Sequence, residues 1–311
     1  MEKNRVRWGV LGCSGIGKNR TIPAMLSTSN AELYAIAGRN EEKLKAYAEP
    51  FAPKKLYTDY QALLNDENVD AVYVPLPNGL HMEWAIKAAE AGKHILCEKP
   101  LAMNEEQVKK MFAAAKANHV LLEEAYAYRH AQLAQRVKEI IDSGEIGRIR
   151  YLESKHSTFD TNREGIRYQK GVGGGAVYDV TCYNVSLASY LFGKDPTEIH
   201  VSCSFDEKTG VDLADAVLLR YENSGVHPRH PMPGWMPIPA DASPSSEIAA
   251  ALMWTISSTA VDSAKSESVK THVPRMLSMS MRSLRSIRSG WMTTTIWSLS
   301  SLATPFCMEH R

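Results

Sequence analysis

The stretch Arg7-Trp-Gly-Val-Leu-Gly-Cys-Ser-Gly-Ile-Gly17 decides the fold of the first half of this 311-residue chain. An apolar run leads into a glycine-rich turn, in which Gly12 and Gly17 match the first and third glycines of the pattern G-x-G-x-x-G while Ser14 stands at the second. The first glycine permits a tight turn, the third lets the helix pack closely on the strand, and the backbone between them approaches a pyrophosphate. The alternative is an ordinary strand-to-helix turn, but a position directly after the first strand favours phosphate binding. The residues predicted to bind a dinucleotide here are Gly12, Ser14, Gly15, Ile16 and Gly17.

Strands and helices alternate from this turn to residue 123. Amphipathic segments separate the apolar runs, and the last segment, Asn104–Asn118, has Asn104 and Gln107 at the spacing of a capping box. Such alternation is typical of parallel strands joined by helices on both faces of a sheet. We therefore predict an α/β fold whose N-terminal domain, residues 1–123, is a doubly wound Rossmann sheet. The predicted strands are Val6–Leu11, Leu33–Ala37, Asp70–Val74, His94–Cys97 and Val120–Glu123.

The end of the second predicted strand indicates which dinucleotide binds. Enzymes that prefer NAD place an acid there to bind the ribose 2′-hydroxyl, but this chain reads Ala37-Gly-Arg-Asn40. An arginine grips a 2′-phosphate through its planar fork, whereas an acid would repel it. We predict NADP(H), with Arg39 as the main contact and Gly38 leaving room, and NAD as the alternative. In the other interpretation, Arg39 is a solvated charge at the start of a polar loop.

A second domain is predicted over residues 124–223. Its helices are expected over Gln132–Ser143 and from about Tyr178 to Leu191, the second one behind the glycine-rich loop Gly171–Gly175. Its predicted strands are Ile149–Ser157, Thr197–Ser204 and Ala214–Tyr221. We expect an α+β domain with an open, mainly antiparallel sheet, because the first strand alternates in polarity. The later strands of this sheet are in doubt, since the composition changes after residue 223.

Residues 224–311 differ from the rest of the chain. They hold 17 Ser, 8 of the 13 Met, 4 of the 6 Trp and 8 of the 15 Pro, but only 5 of the 35 acidic residues and none of the 13 Tyr. No sustained hydrophobic period predicts a strand or helix there. Two explanations stay open, a disordered Ser/Pro-rich tail and an out-of-frame translation. The tryptophans and methionines favour the second, because disordered tails are seldom rich in both.

The overall composition excludes several classes of protein. The formal net charge of +1 argues against a nucleic-acid binder that works through bulk charge. No run approaches the ~18 apolar residues of a membrane span, and no apolar signal segment precedes the first strand. The five cysteines are scattered and lack metal-binding spacing, which indicates reduced thiols. We therefore expect a cytoplasmic protein without a metal, nucleic-acid or membrane partner.

Four further segments carry a family resemblance over about residues 5–226. They are Asp70-Ala-Val-Tyr-Val-Pro-Leu-Pro-Asn78 with His81, Ala91-Gly-Lys-His-Ile-Leu-Cys-Glu-Lys-Pro100, Glu124-Ala-Tyr-Ala-Tyr-Arg-His130, and Gly173-Gly-Gly-Ala-Val-Tyr-Asp179 with Tyr183. With the first turn, these segments resemble the Gfo/Idh/MocA oxidoreductases, named for glucose–fructose oxidoreductase and inositol dehydrogenase. The small residue at position 14 and the tyrosine at position 183 are most similar to the dihydrodiol and aldose dehydrogenase branch.

The resemblance implies which residues are catalytic. Oxidation of a secondary alcohol by hydride transfer needs a group that takes the hydroxyl proton and a cation that stabilises the developing alkoxide. Lys99 follows the fourth strand, at the edge where open α/β sheets bind ligands, and its ammonium can lower the pKa of a nearby phenol. Tyr183 is then the proton donor or acceptor, and Asp179, four residues earlier on the same helix face, orients substrate hydroxyls or holds Lys99. Many relatives have His in place of Tyr183, so the principal acid/base is either Tyr183 or Lys99.

Other residues are expected around the cofactor and the substrate. Asn78 and His81 are predicted to border the nicotinamide, with helix capping as the alternative for Asn78. Arg129 has the alternative role of a structural ion pair. The remaining predicted cofactor contacts are Pro75, Glu98 and Lys99, and the predicted substrate contacts are Tyr128, Arg129, His130, His156 and Arg163.

The sequence as a whole favours an NADP(H)-dependent oxidoreductase that acts on a hydroxyl carbon of a sugar, polyol or cyclic diol. The resemblance also implies a homo-oligomer, whose interface would use strands beyond residue 225. Two alternatives stay open. One is a non-catalytic sensor that binds a dinucleotide on the same fold, and the other is a frameshifted product without activity.

An out-of-frame tail would lack the alternation that the later strands require, so apolar strand edges would stay uncovered. We therefore expect limited proteolysis, followed by mass spectrometry, to cleave the chain beyond residue 223 before it cuts residues 5–223. A full-length chain that resists the protease would contradict this expectation. So would a gene whose reading frame runs uninterrupted, with family-like codons, through Gly225.

Overall fold

The structure of the chain is a computed structural model that describes residues 5–146, 149, 151–158, 160 and 162–221, and the backbone of residues 251–257. Its described residues form two compact units. Among the described residues, the first unit contains 5–132 together with 171–173, and the second contains those within 133–170, 174–221 and 251–257. Apart from 251–257, the segment 224–311, with its suspected change of reading frame, lies outside the described residues.

The first unit is built on a six-stranded parallel sheet. The strand order is β3-β2-β1-β4-β5-β6, which is the doubly wound order with its switch point between β1 and β4. The strands are β1 Val6–Leu11, β2 Ala31–Ala37, β3 Lys55–Tyr57, β4 Ala71–Val74, β5 His94–Cys97 and β6 Leu122–Glu124. The predicted Rossmann sheet is therefore confirmed. β3 was not predicted, because three largely exposed residues at a sheet edge carry no hydrophobic pattern.

Helices cover both faces of this sheet. They are α1 Ile22–Ser27, α2 Glu41–Ala48, α3 Tyr60–Leu64, α4 His81–Glu90 and α5 Glu105–Ala117. Asn104 caps α5 as predicted, since its side chain accepts the N–H of Gln107 at 3.0 Å. The reciprocal bond of a capping box is shifted by one residue, because Gln107 Oε1 accepts the N–H of Met103 rather than that of Asn104.

Two apolar layers hold the helices on the sheet. On one face Trp8, Val10 and Tyr73 pack against α1 and α2, and on the other Val72 and Ile95 pack against α3, α4 and α5. All five side chains are at most 1% exposed. Burial of a large apolar side chain contributes about 1.5–3 kcal/mol, so these layers fix the strand ends that carry the predicted site.

The second unit combines two helices with two small sheets. Its elements are α6 Gln132–Asp142, β7 Tyr151–Ser157, α7 Cys182–Phe192, β8 Glu198–Phe205, β9 Asp212–Arg220 and β10 Ala251–Ser257. β8 and β9 form the predicted antiparallel pair. β10 lies where no strand was predicted, and it pairs in parallel with β7. A run of strand-forming residues can pair with a strand edge without alternating in polarity, which explains why the hydrophobic period did not predict β10.

Within the described residues, no helix combines the length and apolar character needed to cross a membrane.

Asp66 ties the loop before β4 to strand β3. Its Oδ2 accepts hydrogen bonds from Lys55 Nζ at 2.8 Å and from Tyr57 Oη at 2.6 Å, and its Oδ1 accepts the N–H of Asn68 at 2.9 Å. Burial raises the pKa of the Asp66 carboxyl, but these hydrogen bonds outweigh burial and hold the pKa well below its ordinary value.

A carboxyl whose pKa is lower in the folded than in the unfolded chain adds stability above about pH 4, and this stability is lost as the pH falls through the folded-state pKa. We expect Asp66→Asn to lower the free energy of unfolding by about 1–3 kcal/mol at pH 7, and by less at pH 3. Urea unfolding at the two pH values measures both losses, with Glu90→Gln on α4 as the control. Equal losses at the two pH values would refute the assigned role.

Candidate functional site

The phosphate turn, residues 12–17, leaves β1 at the switch point of the sheet and leads into a π-helical turn, Gly17–Thr21, that continues as α1. Gly12 has a φ of +102°, a conformation that side chains rarely adopt. A Cβ on Gly17 would lie 2.6 Å from Tyr47 Oη, so no larger residue fits there. An added Cβ on Gly15 would meet no protein atom within 4 Å. The turn therefore leaves room for a ligand where the pattern predicts a pyrophosphate.

Ser14 braces the phosphate turn from inside. Its Oγ accepts the N–H of Gly17 at 3.0 Å, and its carbonyl oxygen accepts the hydroxyl proton of Tyr47 at 2.9 Å. Because Oγ is the acceptor of the internal bond, its own proton can point to an anion. Ile16 is 47% exposed beside it. The small residue at position 14 thus supplies both the shape of the turn and a donor that fits a phosphate.

The end of β2 is positively charged. Gly38 is buried, and a Cβ there would lie 2.9 Å from Cys13 Sγ, so the strand end packs closely on the phosphate turn, and the contact of Gly38 with a cofactor stays a prediction. Arg39 is exposed, and its guanidinium charge acts on the hydroxyl of Tyr60. Burial raises the pKa of Tyr60, while the Arg39 charge lowers it. The Lys43 charge also reaches Cys13, so two cations meet at the strand end where NAD-binding proteins place an acid.

Lys99 follows β5 and is joined to Pro100 by a cis peptide bond. The neighbouring Glu98 accepts the hydroxyl proton of Tyr73 at 2.5 Å and the backbone N–H of Lys99 at 3.3 Å. Burial raises the pKa of Glu98, whereas the bond from Tyr73 and the charge of Lys99 lower it. Lys99 therefore sits at the carboxyl edge of the sheet beside a hydrogen-bonded carboxyl group.

His81 joins the loops that follow β4 and β5. Its ring nitrogens lie 2.9 Å from the Pro100 carbonyl oxygen and 2.8 Å from that of Leu76, and the residue is fully buried. Burial lowers the pKa of His81, which favours the neutral ring that donates through one nitrogen only. Pro75 is buried in the same loop. His81 holds the two loops together here, and its contact with a cofactor stays a prediction.

Asn78 holds the glycine-rich loop rather than capping a helix through its side chain. Its Nδ2 donates to the carbonyl oxygen of Gly173 at 2.8 Å, within the first unit. Gly173 has a φ of +82°, and Met103 lies against the same backbone. The side chain of Asn78 thus holds Gly173 in place within the first unit.

A cleft of about 420 Å³ opens beside β6 in the first unit. Arg129 and His130 line it, and His130 Nε2 lies 3.0 Å from Glu123 Oε1. Burial raises the pKa of Glu124 in the same cleft, and the Arg129 charge opposes this shift. Tyr128 accepts a hydrogen bond from Arg129 Nε at 3.4 Å. These contacts support the structural role for Arg129, and the substrate contacts of all three predicted residues stay predictions.

A second cleft, of about 460 Å³, lies wholly within the second unit. Asp179 lines it and forms an ion pair with Arg167 Nε at 2.5 Å, while Arg167 Nη1 lies 3.2 Å from Asp160 Oδ2. Arg167 was not predicted, because no spacing links a loop arginine to an aspartate 12 residues later. One guanidinium thus holds two carboxylates, and all three side chains line the same cleft.

The helix that carries Asp179 begins with a π-helical turn, Val177–Thr181, in which the N–H of Cys182 bonds the carbonyl of Val177. This bond joins residues five apart, and the helix continues from Cys182 as α7. Asn184, five residues after Asp179, lines the second cleft together with Asp179, and the shared role of Asp179 and Tyr183 stays a prediction.

Tyr183 lies against the ring of His156. The two ring centroids are 5.3 Å apart in an edge-to-face contact, and His156, but not Tyr183, is among the described residues that line the second cleft. Arg163, another predicted substrate contact, pairs with Asp206 at 2.8 Å and stacks over Tyr168. The substrate contacts of His156 and Arg163 and the catalytic role of Tyr183 stay predictions.

The strand order, the phosphate turn at the switch point and the charged end of β2 together define a dinucleotide-binding Rossmann domain. The family model described as "Oxidoreductase family, NAD-binding Rossmann fold" matches residues 6–126. The model of the GFO/IDH/MocA C-terminal domain matches residues 134–227. The chain therefore belongs to the Gfo/Idh/MocA oxidoreductase family, as its motifs predicted.

Several named proteins are similar to this chain. A 3-ketoreductase from Actinomadura kijaniata, solved with NADP and TDP-benzene, is 35% identical, with a TM-score of 0.67 over 71% of this chain and 68% of that one. An NADP(+)-linked D-xylose 1-dehydrogenase from Haloferax volcanii is 37% identical over 70% of this chain and 66% of its own length. A dTDP-3,4-didehydro-2,6-dideoxy-alpha-D-glucose 3-reductase from Saccharopolyspora spinosa is 36% identical over 71% and 66%. The chain spans 64–66% of the length of the first curated relatives that it matches.

The contact at Gly17 yields a test of the phosphate turn. Gly17→Ala forces Tyr47 and Ser14 apart and so misplaces the groups that position the dinucleotide. We therefore expect the dissociation constant for a dinucleotide to rise about tenfold or more. Tyr47→Phe removes the hydroxyl that the new methyl meets, so the double variant should bind more tightly than Gly17→Ala alone. Calorimetric titration of the four proteins gives this cycle. Additive losses in the double variant would show that the clash is not the cause.

Proposed function

We propose that this chain is an NADP(H)-dependent oxidoreductase that transfers hydride between nicotinamide and a hydroxyl carbon of a sugar, polyol or cyclic diol. The observation that carries the proposal is the alignment of three features along one sheet edge. They are the phosphate turn after β1, Arg39 after β2 and Lys99 after β5. The named relatives, a ketoreductase and a xylose dehydrogenase, support the substrate class.

Two parts of the first unit would hold the cofactor. The backbone of the phosphate turn and the Ser14 hydroxyl suit the pyrophosphate, because they form a small concave surface of donors without side-chain obstruction. Arg39 and Lys43 suit a 2′-phosphate, because a phosphate accepts strong hydrogen bonds from a planar guanidinium. The solved ketoreductase contains NADP, which supports this preference over NAD.

Lys99 and Tyr183 are the proposed reacting side chains. Nicotinamide, when bound, supplies or accepts the hydride. The ammonium of Lys99 donates to the substrate oxygen and stabilises its negative charge, and the phenol of Tyr183 exchanges the hydroxyl proton. The Actinomadura reductase has also been solved with a tyrosine replaced by phenylalanine and with a lysine replaced by alanine or glutamate, which are the same two residue types.

The second unit supplies groups that suit a polyhydroxyl compound. Asp179 and Asn184 line its cleft, and Arg167 orients Asp179 through their ion pair. Carboxylates and amides bind sugar hydroxyls through directional hydrogen bonds. We propose Asp179 as the residue that orients the substrate, with Arg167 holding it in place.

The choice of cofactor is tested by Arg39→Ala. Loss of a charge-assisted contact to a 2′-phosphate removes about 1.5–3 kcal/mol, so we expect NADP+ to bind about 10- to 100-fold more weakly and NAD+ to bind as before. Calorimetric titration with both dinucleotides gives the two affinities. Arg136→Ala, at an exposed ion pair of α6, is the control. If NAD+ affinity fell as much as NADP+ affinity, Arg39 would act on the phosphate turn itself rather than on the 2′-phosphate.

The catalytic roles are tested by Lys99→Met and Tyr183→Phe. Removal of a group that transfers or stabilises the reacting proton lowers kcat by about 100-fold or more. We expect both variants to lose this much in steady-state oxidation of a sugar and diol panel with NADP+. Tyr190→Phe, on the same helix as Tyr183, should retain wild-type turnover. Full activity of Lys99→Met and Tyr183→Phe would disprove the assignment.

A further inference from the structure

A line of buried hydrogen bonds crosses the first unit beneath its nucleotide-binding edge. Thr21, the last residue of the π-helical turn, donates from Oγ1 to Tyr73 Oη at 3.0 Å. Tyr73, in β4, donates its hydroxyl proton to Glu98 Oε1 at 2.5 Å. Glu98 Oε2 accepts the backbone N–H of Lys99 at 3.3 Å. Three hydrogen bonds thus join the helix behind the phosphate turn to the peptide that carries Lys99.

Among the described residues, the hydroxyl of Tyr73 has hydrogen bonds with Thr21 and Glu98 only. Tyr73 is fully buried and Thr21 is 5% exposed, so water does not replace the hydrogen bond between them. The other residues of β4 are alanine and valine, as a parallel strand buried on both faces requires. A phenol at such a position costs free energy unless its hydroxyl is bonded, so its presence there points to the carboxylate that it binds.

Glu98 passes this constraint on to Lys99. Its carboxylate is held on one oxygen by Tyr73 and on the other by the Lys99 backbone, and the charge of Lys99 acts on it directly. Burial also raises the pKa of Tyr73 well above its ordinary value, so the phenol stays a donor at every working pH. Without the donor on Oε1, the carboxylate can rotate, and both the backbone bond and the charge beside Lys99 change.

We propose that Tyr73 is a positioning residue for Lys99, acting through Glu98 and anchored by Thr21 to the helix behind the phosphate turn. The proposal rests on the proposed function, because the reaction assigned there is what makes the position of Lys99 matter. Tyr73 touches neither substrate nor cofactor, since it is fully buried. Its hydroxyl fixes the direction from which the ammonium reaches a substrate oxygen.

The test uses Tyr73→Phe in the full-length chain, which removes one oxygen and keeps the buried ring. Tyr34→Phe is the matched control, because Tyr34 is a buried tyrosine of β2 in the same sheet, and its hydroxyl interacts with Lys55 instead of Glu98. The first measurement is the rate at which N-acetoxysuccinimide acetylates Lys99 without cofactor, followed by peptide mass spectrometry. The second is steady-state turnover with NADP+, separated into kcat and KM.

We expect Lys99 of the Tyr73→Phe variant to be acetylated faster than Lys99 of the wild type. We also expect kcat to fall about tenfold, the kinetic equivalent of one hydrogen bond, with KM unchanged. Tyr34→Phe should match the wild type in both measurements. If circular dichroism shows that Tyr73→Phe does not fold, Glu98→Gln replaces it. That variant keeps one of the two acceptor contacts, because its amide nitrogen can only donate, and it removes the charge beside Lys99, so it should show the same two changes.

Failure of this inference differs from failure of the proposed function. A wild-type chain that oxidises no member of the panel defeats the proposed function, and the acetylation rates then decide the positioning of Lys99 on their own. An active wild type whose Tyr73→Phe variant equals Tyr34→Phe in acetylation and turnover overturns the positioning role and leaves the proposed function standing.

Discussion

The contact between Gly17 and the two tyrosines beneath it constrains the rest of the first unit. Because position 17 has no side chain, the helix start lies close to Tyr47 Oη and to the ring of Tyr73. That approach sets the curvature of the phosphate turn, which Ser14 and Tyr47 then brace. It also brings Thr21 within hydrogen-bonding distance of Tyr73, and through Glu98 the same contact reaches the lysine at the end of β5. The lack of a side chain at Gly17 therefore connects cofactor binding to the placement of Lys99.

Under the proposed function, the two units divide the chemistry between them. The first has cations at strand ends, where a phosphate and a developing alkoxide need them, and its carboxylates are bonded to neighbours. The second has a polar cleft in which Asp179 is held by Arg167. A hydride-transfer enzyme needs both sets, because a cofactor site alone binds a dinucleotide and a polyol site alone only binds its ligand. The family membership of both segments, 6–126 and 134–227, agrees with this division.

The sequence predicted the elements that hydrophobic period and glycine spacing encode. These include the Rossmann sheet and the antiparallel pair of β8 and β9. It missed β3, whose three edge residues bury little, and β10, which pairs without alternating. The π-helical turns were also beyond sequence reasoning, because one extra residue in a helical turn leaves no compositional trace. Asn184, which lines the second cleft, was also overlooked. Tyr73 and Arg167 were missed because their partners are distant in sequence.

Direct titration of the full-length chain with NADPH and with NADH tests the central claim most simply. The cation pair at the end of β2 predicts that NADPH binds at least about tenfold more tightly, the value expected for one charge-assisted contact to its 2′-phosphate. Isothermal calorimetry gives both dissociation constants under identical conditions. A chain that binds neither dinucleotide, or that prefers NADH, would contradict the account.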